Sequence, residues 1–201
     1  MIAIVDYGAG NIFSVLNAME YLKIPARLTA DAAELRAADA ILLPGVGAFP
    51  DAMRMLEEAG LPELLREEAE KKPFLGICLG MQLLFEKSCE FGETAGLGLI
   101  PGEIVKIPDT GLKIPHMGWN SLDIRQDCPL LTDVSQGDSV YFVHSYMAKT
   151  EAAYIAASCE YGVEVPALVR RGHIYGAQFH PEKSGAVGLR MLRRFAALAD
   201  K

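Results

Sequence analysis

Apolar and polar positions come in alternating blocks along the first half of the chain. Ile2–Val5 is a short apolar run closed by Asp6-Tyr7-Gly8-Ala9-Gly10-Asn11, which predicts a buried strand and a turn. Ile12, Val15, Leu16, Met19 and Leu22 follow at three- and four-residue spacing, the pattern of an amphipathic helix capped by Asn11 and running to about Lys23. A second strand near Ala26–Thr29 precedes a helix opened by Asp31, and Ala40–Leu43 is a third strand ending in the glycine-rich Pro44-Gly45-Val46-Gly47. Helical text runs from about Asp51 to Lys71 with a break near Gly60-Leu61-Pro62; Phe74–Ile77 reads as a fourth strand and Leu79–Glu86 as a helix. Strand, turn and helix in repetition predict right-handed βαβ units and a mostly parallel sheet covered on both faces.

After Gly92 the pattern changes to short β-rich runs: Glu103–Ile107, Ser121–Ile124, Ser139–His144, Tyr154–Cys159, Ala167–Arg170 and Ile174–Phe179. These predict antiparallel additions to the main sheet. A last helix from about Ser184 to Ala199 places Val187, Met191, Phe195 and Leu198 on one face. The expected architecture is a three-layer α/β fold with its site at the carboxyl ends of the parallel strands. No repeat or linker interrupts it, so residues 1–201 are expected to form one domain.

Composition narrows the function class. The chain is 51% hydrophobic and 22% charged, the balance of a soluble globular protein. Its net charge of −7 does not suit a nucleic-acid or anionic-membrane binder. The longest uncharged stretch, Pro73–Phe85, falls short of the roughly 18 residues a membrane helix needs, and no basic leader precedes Asp6. The cysteines at 78, 89, 128 and 159 form no C-x-x-C pair and no zinc-spaced cluster. A cytoplasmic, reduced protein with no metal and no cofactor is expected.

The sharpest local feature is Gly76-Ile77-Cys78-Leu79-Gly80, a nucleophile elbow with sulfur at its centre. A strand that turns straight into a helix strains the middle residue and lifts its side chain out at the top of the sheet. It sets the thiol against a helix N-terminus, which favours thiolate, and aims the Leu79 N–H where an oxyanion would form. Taken alone, Cys78 is equally well read as an inert buried cysteine. His180 stands after a strand, in His180-Pro181-Glu182, where proline stiffens the turn and Glu182 can fix the imidazole tautomer. Taken alone, that segment is somewhat better read as a surface turn with Ser184 capping the last helix; together with the elbow it makes a Cys-His-Glu triad. Glycines in Pro44-Gly45-Val46-Gly47 can turn backbone N–H groups toward the same oxyanion. Asp6–Asn11 fails as a dinucleotide fingerprint, because Phe13 occupies the position that needs a small residue.

In GICLGMQ (76–82), HPE (180–182) and PGVG (44–47) the chain resembles the class I, triad-type glutamine amidotransferases, and the resemblance covers nearly its whole length. DYGAGN (6–11), PHMGWN (115–120) and YFVHSY (141–146) narrow the resemblance to the glutaminase subunits of imidazole glycerol phosphate synthases. That resemblance implies Cys78 as nucleophile, His180 as proton relay and Glu182 as its anchor. It also implies oxyanion donors at Leu79 and around Val46 and Gly47, and Gln82, Ser145 and Tyr146 gripping the α-amino and carboxylate ends of L-glutamine. It implies as partner a (β/α)8 cyclase subunit that receives the ammonia. Asn11, Trp119, Tyr141 and Lys183 are the expected partner-facing rim, although Trp119 and Tyr141 equally suit a core and Lys183 a solvated charge. His116, His144 and His173 are expected to be packing or surface residues. The alternatives are the glutaminase subunit of a different synthase, a non-catalytic subunit on the same fold, or a stand-alone cysteine hydrolase.

Overall fold

A computed structural model describes residues 1–8 and 10–199; Ala9 of the DYGAGN segment and the last two residues lie outside the described residues. The first half follows the sequence pattern closely: β1 (Ile2–Val5), α1 (Ile12–Tyr21), β2 (Ala26–Thr29), α2 (Ala32–Ala37), β3 (Ala40–Leu43), α3 (Phe49–Glu58), α4 (Pro62–Ala69) and β4 (Phe74–Ile77). A short α5 (Leu79–Gln82) follows, then β5 (Phe85–Ser88), β6 (Thr94–Ala95), β7 (Ile100–Lys106), β8 (His116–Ser121), β9 (Asp123–Ile124), β10 (Ser139–His144), β11 (Tyr146–Lys149), β12 (Ile155–Glu160), β13 (Glu164–Arg171), β14 (Ile174–Ala177) and α6 (Gly185–Leu198).

The main sheet runs β2-β1-β3-β4-β14-β13-β12-β9. It is parallel from β2 to β14 and antiparallel from β13 outward. Alternate residues of its strands feed two cores. Ile2, Ile4, Leu42, Leu75 and Ile77 pack with Val15 and Met19 of α1 and Met191 and Phe195 of α6. Ala3, Val5, Ile41, Leu43 and Phe74 pack with Leu35, Leu56 and Leu65 from α2, α3 and α4. This two-sided covering is the three-layer α/β architecture read from the sequence.

Three details depart from the sequence reading. The helix expected over Leu79–Glu86 stops at Gln82, and Phe85–Ser88 becomes β5, pairing with β7. Leu83, Leu84 and Phe85 are all buried, so periodicity could not separate helix from strand there. Asn11 precedes α1 without capping it; its Oδ1 accepts from Ser14 Oγ at 2.9 Å. Finally, the second half does more than extend the main sheet. β8 and β10 form a separate hairpin-like pair, and β11-β7-β5-β6 a small sheet of its own. Val143 and His144 of β10 and Tyr146 of β11 share one cavity with residues just beyond β3, β4 and β14.

Candidate active site

The elbow is built from missing side chains. Cys78 sits between β4 and α5 at φ 54° and ψ −111°, a region that costs a non-glycine residue about 1–3 kcal/mol. Glycine packing holds it there: a Cβ on Gly80 would lie 1.9 Å from the Leu43 carbonyl oxygen, and one on Gly76 would lie 2.5 Å from the Gly80 oxygen. The Cys78 amide donates to Ala177 O at 2.7 Å, so the elbow is tied to the end of β14.

His180 lies just beyond β14. Its amide donates to Tyr141 O at 2.9 Å, while Ser184 Oγ accepts from the Tyr141 amide at 2.9 Å and donates to His180 O at 2.6 Å. Ser184 therefore clamps the loop to β10 rather than capping α6. Gly188 permits the close seat of α6, since a Cβ there would stand 1.9 Å from Pro181 O. Within this frame His180 Nδ1 donates to Glu182 Oε1 at 2.8 Å, with both side chains buried. Nε2 carries no hydrogen bond among the described residues. Burial pushes the ring's pKa down. The proximity of Cys78 and then of Glu182 outweighs it and raises His180 to about 9.

Cys78 and His180 open onto one cavity of about 410 Å³, lined also by Val46, Gly47, Leu79, Gln82, Glu90, Ser145 and Tyr146. The expected nucleophile, base, oxyanion segment and substrate-holding residues thus meet in one place. One donor is already engaged: the Leu79 amide points to Gly45 O at 3.3 Å. The cavity volume suits a small-molecule ligand, and among the described residues no cluster of three or more His, Cys, Asp or Glu is placed to hold a metal.

The chain belongs to the class I glutamine amidotransferase family. The profile of glutamine amidotransferase class-I matches residues 3–198. A relative from Caldanaerobacter subterraneus subsp. tengcongensis, imidazole glycerol phosphate synthase subunit HisH, is 51% identical over 200 residues, covering 98% of each chain. The subunit of the same name from Shouchella clausii is 50% identical over 206 residues, 100% of this chain and 99% of its own. A solved glutamine amidotransferase shares the fold at a TM-score of 0.77 with 19% identity, each chain covered in full.

Within this amidotransferase, two residues at the site escaped the sequence reading. Glu90 is a buried carboxylate in the cavity wall whose Oε2 accepts from the Phe49 amide at 2.8 Å. It follows β5, the strand the sequence had disguised as helix, and no local motif marks it. Gln178 is fully buried, with Nε2 3.9 Å from Cys78 Sγ and Oε1 accepting from Gln82 Nε2 at 3.0 Å. Of the expected rim, Trp119 is 59% exposed and meets Tyr141 edge-on at 6.1 Å, so it is no core aromatic; Lys183 is exposed. Asn11 keeps Nδ2 buried without a partner among the described residues. His116 and His144 are buried and bonded to each other, whereas His173 is an exposed residue whose Nε2 lies 2.7 Å from Ala69 O. No helix among the described residues is long and apolar enough to cross a membrane.

Proposed function

We propose that the chain is the glutaminase subunit of an imidazole glycerol phosphate synthase. It hydrolyses L-glutamine through Cys78, His180 and Glu182 and passes the ammonia to a (β/α)8 cyclase subunit. There the ammonia goes into imidazole glycerol phosphate, with aminoimidazole carboxamide ribotide as second product, in histidine biosynthesis. The observation that carries this reading is the open Nε2 of His180, which shares a cavity with the Cys78 sulfur while Glu182 fixes the opposite nitrogen.

The sulfur attacks the side-chain amide carbon of glutamine while its proton is held on His180 Nε2. That proton then passes to the departing nitrogen, ammonia leaves, and a thioester to Cys78 remains. Water enters, gives a proton to His180 and its oxygen to the acyl carbon, and glutamate departs as the sulfur regains its proton. Glu182 orients the ring throughout.

The α-ammonium of glutamine needs acceptors. Gln82 spends its Nε2 hydrogens on Tyr146 O at 3.1 Å and Gln178 Oε1 at 3.0 Å, which leaves its Oε1 for the substrate. Glu90 supplies the negative charge in the same wall. Ser145 and Tyr146 form the bend that holds the α-carboxylate.

The Leu79 amide serves the oxyanion only once it is shared with, or released from, Gly45 O, so movement of the 44–47 loop is the step a docked partner would drive. Asn11, Trp119, Tyr141 and Lys183 would form the partner-facing rim, where Lys183 would offer an acidic group on the partner a contact beside Glu182. The four cysteines are all unpaired, which suits a cytoplasmic setting.

The deciding assay measures glutamine hydrolysis by the chain alone and with the cyclase subunit, with and without the cyclase's nucleotide. The expected result is weak activity alone and strong activity in the liganded complex. Equal rates would refute the coupling. Cys78→Ala should abolish glutamine use in the complex yet leave synthesis from added ammonia intact; loss of both would make Cys78 structural.

A further inference from the structure

The mechanism leaves two buried imidazoles unused. His116 and His144 face each other across the β8–β10 pairing, with His116 Nδ1 3.0 Å from His144 Nε2. The direction of the hydrogen bonds around them can be read from both ends. Asn120 Oδ1 accepts from the Ser121 amide at 2.9 Å, so Asn120 Nδ2 is the atom that donates to Glu160 O at 2.9 Å and faces His116 Nε2 at 3.3 Å. His116 Nε2 must then accept, and Nδ1 carries the proton. At the far end Tyr146 O can only accept, so the proton toward it, across 2.8 Å, sits on His144 Nδ1, and His144 Nε2 accepts from His116. Both ends demand the same two tautomers.

The chain of bonds continues into the site. Tyr146 O also accepts from Gln82 Nε2, Gln82 donates in turn to Gln178 Oε1, and Gln178 Nε2 faces the Cys78 sulfur. We infer that Asn120, His116 and His144 form a one-way hydrogen-bond relay that positions the Tyr146 carbonyl and, through it, the Gln82 amide that receives the α-amino end of glutamine. This inference rests on the glutaminase reading and assigns positioning, not catalytic, roles: His144 lines the cavity, but neither imidazole keeps a free nitrogen for it.

The rest of the environment fits a relay of neutral rings. A protonated His144 would point Nε2–H at His116 Nδ1–H, and a protonated His116 would point Nε2–H at an amide already donating. Burial, above all, pushes both rings down to about 4. His116 is stacked between Phe142 at 4.6 Å and Tyr161 at 4.0 Å, which fixes its plane. A relay that takes up no proton keeps the Gln82 amide in one orientation throughout the ordinary pH range.

The test uses the full chain carrying Cys78→Ala and measures L-glutamine binding by calorimetry. Added His116→Phe keeps the stacked ring but neither donates nor accepts, and His144→Leu removes the donor to Tyr146 O. Each should weaken binding roughly tenfold. His144→Asn keeps an N–H near the Nδ1 position and should retain most of the affinity. In the Cys78-intact chain with its cyclase subunit the same variants should raise KM by a similar factor and leave kcat within about twofold. Nitrogen NMR of the unmutated chain should find both rings neutral and protonated at Nδ1 from about pH 5.5 to 8. Unchanged affinity in both disruptive variants, a loss confined to kcat, or an Nε2–H tautomer or titration in that range would overturn the relay. Absence of glutamine binding by the Cys78→Ala parent would instead bring down the glutaminase reading, and the relay's role with it.

Discussion

The two walls of the cavity are made in opposite ways. The wall carrying Cys78, His180 and Glu182 hangs on adjacent parallel strands and is set by close backbone packing, with glycines where a single methyl would collide. The other wall, with Glu90, Ser145 and Tyr146, comes from the small sheets and is tied by side-chain hydrogen bonds to Phe49 and to Gln82 at the end of α5. Rigid backbone suits a sulfur and an imidazole whose separation decides proton transfer. A hydrogen-bonded wall suits recognition of a zwitterion, where oriented donors and acceptors matter more than steric exclusion.

The contrast can be attacked from either side. The largest effect is expected at the elbow: Gly80→Ala drives a methyl against the Leu43 carbonyl and should cost about 3 kcal/mol or more in urea unfolding, with activity lost alongside. Electrostatics on the same wall come next. Because Cys78 helps to raise His180 to about 9, Cys78→Ala should bring the His180 midpoint, followed by NMR, well down toward 6.5. A histidine raised on folding stabilises fully below its unfolded value near 6.5. That contribution fades as pH climbs through about 9, so the unmutated chain should lose more stability than Cys78→Ala over that interval. The smallest effect on the fold, and the most selective, belongs to the opposite wall. Glu90→Gln should raise KM for glutamine roughly tenfold or more through lost charge pairing, with the unfolding midpoint little changed. A Glu90→Gln chain that unfolded early instead would make that wall as structural as the elbow.

How far the sequence could be read follows the same division. The nucleophilic wall was legible because backbone strain must be relieved locally: Gly76, Gly80 and Pro181 sit within a few residues of the groups they serve, so short motifs expose them. Gly188 serves the same wall from α6 and was hidden, because nothing local explains its small size until Pro181 O is seen against it. Glu90, Gln178 and the His116–His144 pair were illegible for a related reason. Their partners lie on other strands, and the buried run Leu83-Leu84-Phe85 masked the change from helix to strand that delivers Glu90. The parallel half of the sheet, its strands separated by amphipathic helices, was read to within a few residues. The small sheets were not, since short antiparallel strands choose their neighbours by contacts that no local pattern encodes.

The ladder between β4 and β14 pairs Gly176 with Gly76 and Ala177 with Ile77, and the next rung is the bond from the Cys78 amide to Ala177 O. Cys78 and His180 thus inherit their spacing from main-chain geometry, as teeth on two gears inherit theirs from the axles. Exchanges among the side chains around them can therefore change the packing without changing that spacing.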